Sequence, residues 1–286
     1  MDSAGGSRPY RDVSAEKKSN FFLGFLFLPK AKREALTRIY AYCRLIDDIV
    51  DEPGASKDEA RRELDFWRDE IERLFRGAPE HPLAIDLFGP IKTYGIPKEP
   101  FLEMIRGCAL DLGGTRYETP ADLESYMRGV ASSVGIMCIH IFGWEHTPKE
   151  RMYEFATTFG YAFQLTNIIR DVGADLELRR VYLPLADIRA AGWSAEALAR
   201  REQGPEFAAL MRVQYKRAKD YYARARALVD PRDRMSLLPA EVMAHVYEGL
   251  LDEIERSGFR VMFGKTSLSG LRKLILAFKA WWYCRG

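Results

Sequence analysis

Apolar residues in this chain recur at helical rather than strand spacing almost from end to end. Leu36, Ile39, Tyr40, Cys43 and Ile46 fall on one side of a helix, as do Leu64, Trp67, Ile71 and Leu74. Phe155, Phe159 and Phe163, with Leu165 and Ile168 behind them, repeat the pattern later. Spacings of three and four lay one face of an α-helix against a core. No run alternates convincingly at period two, and there is no internal repeat or low-complexity tract. The punctuation agrees. Ser56-Lys57-Asp58-Glu59 reads as a capping box opening a helix. Thr147-Pro148-Lys149-Glu150 repeats that signal with proline at the first helical position. Gly77-Ala78-Pro79, Gly95-Ile96-Pro97 and Gly113-Gly114 read as breaks between helices. The expectation is an all-α protein.

At 286 residues the chain has ample length for a sizeable core. The helical signals continue without a change of composition, so one large bundle is expected over residues 15–286. Residues 1–14 are small and polar and are expected to form a disordered N-terminus without a signal-peptide core. The apolar stretch Phe21 to Pro29 is far too short to span a bilayer. Cys43, Cys108, Cys138 and Cys284 show no C-x-x-C spacing and no accompanying histidine cluster. They read as buried thiols in a reducing compartment, not as disulfides or zinc ligands. Cytoplasmic location follows as an expectation. The net charge of +2 does not suggest a nucleic-acid binder.

Two acidic clusters change the picture from scaffold to chemistry. Asp47 and Asp51 lie four residues apart, and so do Asp171 and Asp175. Each pair stands on an apolar, helix-periodic stretch, with Arg44 and Arg170 close by. Residues i and i+4 share one helix face, where an unpaired buried charge is expensive. A lone D-x-x-x-D is usually a solvated face. Two of them on apolar helices would repel across a bundle unless cations stood between them. Oxygen-only ligands favour Mg²⁺, which takes a few carboxylates plus substrate phosphates. The pattern points to a Mg²⁺-diphosphate site in an apolar cavity.

Two further segments leave alternatives open. From Tyr126 to Gly135 the chain is poor in bulk: Gly129, Ala131, Ser132, Ser133 and Gly135 would let either another helix or a ligand approach the backbone. At the C-terminus Leu271, Leu274, Ile275, Phe278, Trp281 and Trp282 form an apolar stripe. From Arg256 onward there are seven basic residues and no acid, leaving the rest of the chain at −5. An apolar stripe with basic flanks suits peripheral contact with an anionic membrane, and equally a terminal helix docked on the bundle.

Four blocks, in order, resemble the squalene/phytoene synthase family of head-to-head isoprenyl synthases. The first is Tyr40-Ala41-Tyr42-Cys43-Arg44-Leu45-Ile46-Asp47-Asp48-Ile49-Val50-Asp51. Tyr126 with Gly129-Val130-Ala131 and Val134-Gly135 follows. The third and fourth are Gln164-Leu165-Thr166-Asn167-Ile168-Ile169-Arg170-Asp171-Val172-Gly173 and Val181-Tyr182-Leu183-Pro184. The resemblance runs from about Ser19 to Lys279. Within the family, Ser19-Asn20-Phe21-Phe22, Phe25-Leu26-Phe27-Leu28-Pro29, Arg116-Tyr117-Glu118-Thr119 and Leu251-Asp252-Glu253-Ile254-Glu255 look most like the hopanoid-pathway branch, which makes presqualene diphosphate from two farnesyl diphosphates.

The resemblance implies an isoprenoid-synthase helical bundle around a central apolar cavity. It implies Mg²⁺, with Mn²⁺ as a substitute, held by Asp47, Asp51, Asn167, Asp171 and Asp175. Arg44, Arg170 and Lys265 would contact phosphate, Tyr126 would assist proton transfer, and Tyr40, Phe21, Gln164 and Tyr247 would lie near the substrates. On this basis the expected enzyme is a prenyltransferase that needs no NADPH, placed on the inner face of the membrane beside downstream hopanoid-pathway enzymes. The alternatives are a phytoene, squalene or dehydrosqualene synthase, and a non-catalytic assembly factor, against which the four intact aspartates argue. The chain departs from the family pattern in places. Ala174 stands where an acid is usual, Asn20 where many relatives have serine, Leu178-Arg179-Arg180 replaces Arg-Gly-Arg, and Gly264-Lys265 replaces paired arginines. Gly24, Gly129 and Ser133 are the small residues expected to influence cavity depth.

Overall fold

A computed structural model describes residues 24–25, 27–51, 56–114 and 116–286, the side chain of Ala195 aside. Residues 1–14 and Phe21 lie outside the described residues. The chain is all-α, as the periodicity predicted. The only β pairing among the described residues is an isolated bridge between Arg116 and Val181.

The long helices are α1 (Lys30–Asp51), α2 (Lys57–Phe75), α3 (Pro82–Tyr94) and α4 (Glu99–Asp111). Next come α5 (Pro120–Met127), a π-helical turn (Arg128–Ser132) and α6 (Ser133–Phe142). The 29-residue α7 (Lys149–Glu177) spans about 43 Å at 1.5 Å per residue. Short helices α8 (Leu185–Ala190) and α9 (Ala195–Ala199) lead into α10 (Pro205–Leu228), α11 (Leu238–Arg256) and α12 (Gly270–Arg285).

Most helix boundaries follow the local chemistry foreseen. Ser56 Oγ accepts from the Glu59 amide at 3.2 Å while the Glu59 carboxylate accepts from the Ser56 amide at 2.9 Å, closing the capping box at the start of α2. Gly77, Gly95 and Gly114 take positive φ at the breaks. The start of α7 is different from the expectation. Its cap is Pro148, which has no side chain to offer, and Thr147 makes no capping bond to the helix. The Thr147 hydroxyl donates instead to Asp233 at 2.7 Å, and the same carboxylate accepts from the amides of Glu145, His146 and Thr147. A carboxylate that accepts several amides is a stronger partner than one helix turn, and it holds the Asp233 carboxyl below its usual range.

α7 runs through the middle of the bundle, packed against α10, α6, α11 and the π turn. Small residues set the spacing there. A Cβ on Gly129 would lie 2.6 Å from Gly107 Cα of α4, and one on Gly160 would lie 2.6 Å from Ser132 Cα. The π turn is thus wedged between α4 and α7. Such turns are a frequent accompaniment of functional sites. All four cysteines are buried and free.

Candidate active site

α1 divides its residues between two surroundings. Leu36, Ile39, Ile46 and Ile49 are fully buried in the core, whereas Tyr40, Cys43, Arg44, Asp47 and Asp51 line a cavity of about 860 Å³. The lining positions step by three and four, one face of the helix. α7 supplies the opposite wall with Phe155, Phe159, Phe163, Gln164, Asn167, Ile168, Asp171 and Asp175. The residues from Gln164 onward put amide and carboxylate groups at one end, and the phenylalanines put apolar surface at the other. Of the site residues expected from sequence, every described one lines this cavity: Asp47, Asp51, Asp171, Asp175, Tyr126, Arg44, Arg170, Tyr40, Gln164, Asn167, Tyr247 and Lys265.

The acidic end gathers five carboxylates (Asp47, Asp51, Asp111, Asp171 and Asp175) beside five cations (Arg44, Arg170, Arg180, Lys265 and Lys273). Burial raises the Asp47 carboxyl to about 7, with Asp51, Asp48 and Asp111 adding repulsion and Arg44 opposing it. Burial raises Asp175 to about 7 as well, helped by Asp171, Asp111 and Asp51. The two pairs therefore feel each other across the cavity. Both also sit at the C-terminal ends of their helices, where the dipole disfavours anions. Arg44 binds Asp47 at 3.2 Å and Asp48 at 2.8 Å. Arg170 chelates its neighbour Asp171, with one bond of 3.0 Å, and Lys265 approaches Asp171 at 3.5 Å.

Whether this donor set suits a divalent cation can be tested on one atom. Asn167 Oδ1 is buried and has no hydrogen-bond partner, while its Nδ2 reaches Gln164 at 3.4 Å. A buried amide oxygen left unpaired is costly, and it is a hard-oxygen donor one turn from Asp171. The donors fit Mg²⁺. Among the described residues no three His, Cys, Asp or Glu side chains form a ready-made cluster.

Among the lining residues not expected as site members are Asp111, Arg180, Tyr182 and Lys273. Asp111 accepts from Tyr126 at 3.2 Å and from Tyr182 at 3.1 Å, and the two rings stack with centroids 5.1 Å apart. Burial raises the Asp111 carboxyl to about 6 against the pull of Arg180 and the two hydroxyls. Arg180 spans from the segment after α7 to α1, bonding Asp51 Oδ1 at 2.5 Å and Val50 O at 3.2 Å. Arg179, where the family pattern has glycine, holds a left-handed φ of 58°, a conformation that glycine adopts without a steric penalty. Asp111 has no acid four residues away, so pair spacing could not reveal it. Arg180 and Tyr182 lay in or beside a recognised block but carried no spacing signal of their own.

The small-residue segment serves both roles left open above. Gly129, Ser132 and Ser133 are buried against neighbouring helices, and Val130, Ala131, Val134 and Gly135 line the cavity. The expected depth determinants need correcting. Gly129 and Ser133 do not line the cavity, and Gly24 packs on the backbone of Pro239. Depth is set elsewhere. Gly135 abuts Ala156 as Ser132 abuts Gly160, so α6 runs antiparallel to α7. Phe142, at the end of α6, therefore stands with Ile139 and Phe155 at the end of the cavity remote from the acids. Along α7, Phe155 and Asp171 are about 24 Å apart.

Comparison with known proteins finds relatives over most of the chain. The squalene/phytoene synthase family model matches residues 14–272. The 15-cis-phytoene synthase of Synechocystis sp. is 32% identical over 280 residues, covering 95% of this chain and 83% of that protein. Among solved structures, a dehydrosqualene synthase in complex with ligand superposes with a TM-score of 0.83 at 27% identity, covering 96% of this chain and 94% of the other. Squalene synthase HpnC from Alicyclobacillus acidocaldarius gives 0.75 at 29% identity, covering 87% and 91%. With two acid pairs facing each other over an apolar cavity in an all-α bundle, and a family match across nearly its whole length, this chain belongs to the squalene/phytoene synthase family of head-to-head prenyltransferases.

Proposed function

We propose that this enzyme joins two farnesyl diphosphates head to head through a cyclopropylcarbinyl diphosphate and carries that intermediate on to a linear C30 hydrocarbon. The observation that carries the reading is the polarity of one cavity: acids and cations at its mouth, phenylalanines at its closed end. Divalent cations held by Asp47, Asp51, Asn167, Asp171 and Asp175 would neutralise the departing diphosphate. Arg44, Arg170 and Lys265 would donate charge-assisted hydrogen bonds to phosphate oxygens. The C1–O bond of one substrate breaks with the electron pair leaving on diphosphate. The apolar walls keep water from the allylic cation. The 2,3 double bond of the second substrate attacks C1, and loss of a proton closes the cyclopropane with the second diphosphate retained. The Tyr126 hydroxyl, which donates to Asp111, would relay that proton. Departure of the second diphosphate then permits rearrangement to a linear allylic cation, which becomes the neutral hydrocarbon by losing a proton or, where NADPH is supplied, by accepting its hydride.

The names of the relatives (phytoene, dehydrosqualene and squalene synthases) support a linear product over the arrest at presqualene diphosphate expected from sequence. Arrest is the second reading. It is favoured by the hopanoid-branch segments and by Lys265 standing alone where paired arginines are usual, since fewer cations at the mouth would slow the second ionisation. Incubation with labelled farnesyl and geranylgeranyl diphosphates and Mg²⁺, with and without NADPH, separates the readings. A linear C30 product is expected. Accumulation of a C30 cyclopropylcarbinyl diphosphate, unchanged by NADPH, would establish the second reading in its place.

The preference for C15 rests on Phe142 closing the cavity. Phe142→Ala is expected to raise the ratio of kcat/KM for the C20 over the C15 substrate by about tenfold, the scale on which pocket methylenes discriminate. An unchanged ratio would place the chain-length barrier elsewhere.

A further inference from the structure

α12 is built the opposite way round from an ordinary docked helix. At the centre of its contact with α11 stand small residues: Ala277, Ala280 and Cys284 are buried against Leu238 and Val242, with Tyr283 and Trp281, the latter expected on the outer stripe, partly buried beside them. Gly249 of α11 admits Leu276, whose Cδ1 lies 2.6 Å from where a Cβ would stand. Five other bulky residues point outward. Leu271, Leu274, Ile275, Phe278 and Trp282 are 50–71% exposed, and they fall at i, i+3, i+4, i+7 and i+11 on one stripe about 17 Å long. A contiguous exposed apolar stripe marks an interaction surface rather than scattered surface residues.

Two observations identify what covers it. The first is charge. Lys279 and Arg285 are exposed with the stripe, and no acid follows Glu255 in the sequence. Arg272 is less available, because it pairs with Glu253. The second is position. Lys265, Thr266, Ser267, Leu268 and Lys273 line the cavity, so the stripe begins where the cavity wall ends. Phe263, 77% exposed, stands just ahead of Lys265. No helix among the described residues is long and apolar enough to cross a membrane, so the geometry is that of a helix lying on a surface.

We infer that the outer face of α12 docks this enzyme onto an anionic lipid bilayer, with the cavity rim against the surface. Apolar side chains would enter the acyl boundary while Lys279 and Arg285 meet the headgroups. The advantage of that placement, direct exchange of prenyl chains with the lipid, rests on the proposed reaction; the docking face itself does not.

The test is flotation of the full chain with vesicles of phosphatidylcholine, with and without phosphatidylglycerol, at low and high salt. Binding at least tenfold stronger to the anionic vesicles and weakening with salt is expected. Leu274→Ser/Phe278→Ser/Trp282→Ser should lose more than tenfold of that binding, and Lys279→Gln/Arg285→Gln should lose most of the salt dependence. Turnover of detergent-dispersed substrate should be unchanged in both variants. Vesicle binding that is absent, or equal in wild type and the triple variant, overturns the inference. So does a wild-type dimer that the triple variant dissociates without any vesicle binding, which would assign the face to a second copy of the chain. An enzyme that binds vesicles but couples no prenyl diphosphates would leave the docking face standing and remove the proposed reaction. An active enzyme that ignores vesicles would do the reverse.

Discussion

Asp175→Asn should melt a few degrees above wild type when both are stripped of divalent cations, yet turn over about 10³-fold more slowly or worse. The two effects have one cause. Burial and the neighbouring carboxylates of Asp171, Asp111 and Asp51 hold the Asp175 carboxyl up at about 7. At pH 8 the metal-free fold keeps that charge against its surroundings, a penalty the unfolded chain escapes. Water in the cavity mouth screens the repulsion, so removing the charge should be worth on the order of 1–2 kcal/mol, or a few degrees in a chain of this size. The pH dependence follows in sign. A carboxyl raised in the folded state binds a proton between about pH 7 and pH 4 that the unfolded chain does not. Metal-free wild type should therefore gain stability as pH falls from 8 towards 5 and converge on the variant. Thermal melts in EDTA at several pH values, with single-turnover assays in Mg²⁺, check both halves. Asp51→Asn and Asp171→Asn should lose turnover to the same degree. Near-wild-type activity in any of the three, with the fold intact, would move the cation site away from these pairs.

Gly173→Ala should damage stability and substrate binding together. Gly173 lies between Asp171 and Asp175, and the chain at Val261 and Met262 crosses α7 directly over it. An added Cβ would stand 2.2 Å from Met262 O and 2.7 Å from Val261 O. These are backbone atoms, which cannot swing aside as a side chain would. Overpacking of this kind costs about 1–3 kcal/mol and more where the obstacle is rigid, so a fall in Tm of about 5–10 °C is expected. The crossing segment delivers Lys265 to the mouth three residues later. Its displacement should raise KM for the prenyl diphosphate roughly tenfold, the consequence of one lost charge-assisted contact. A melt within one degree of wild type and an unaltered KM would mean that the segment slides freely over α7.

The parts of this site that sequence made legible are those written in helical period. Asp47 with Asp51, and Asp171 with Asp175, declare a shared face by spacing alone, and the apolar residues around them declare that the face is not solvated. Asp111 is invisible to that logic. It meets Tyr126 and Tyr182 only because the chain after α7 returns beside Arg116 and Tyr117, a tertiary event with no local periodicity. Thr147 failed for a related reason: it has the pattern of a cap, but Asp233, distant in sequence, offers its hydroxyl a charged acceptor. Gly129 and Ser133 were recognised as places of close approach, but composition could not say which small residues face a helix and which face the cavity.

That division along residues 129–135 has a bearing on how product length can evolve. Gly129, Ser132, Ser133 and Gly135 are locked to the backbones or side chains beside them, so substitutions there are selected against for folding before catalysis is ever tested. Val130, Ala131 and Val134, with Cys138 beyond them, present one side to the cavity. Mutational libraries confined to those four positions should yield a higher fraction of folded enzymes with altered chain-length preference than libraries at Gly129, Ser132, Ser133 and Gly135, which makes specificity in this wall a trait that selection can tune at a smaller cost in stability.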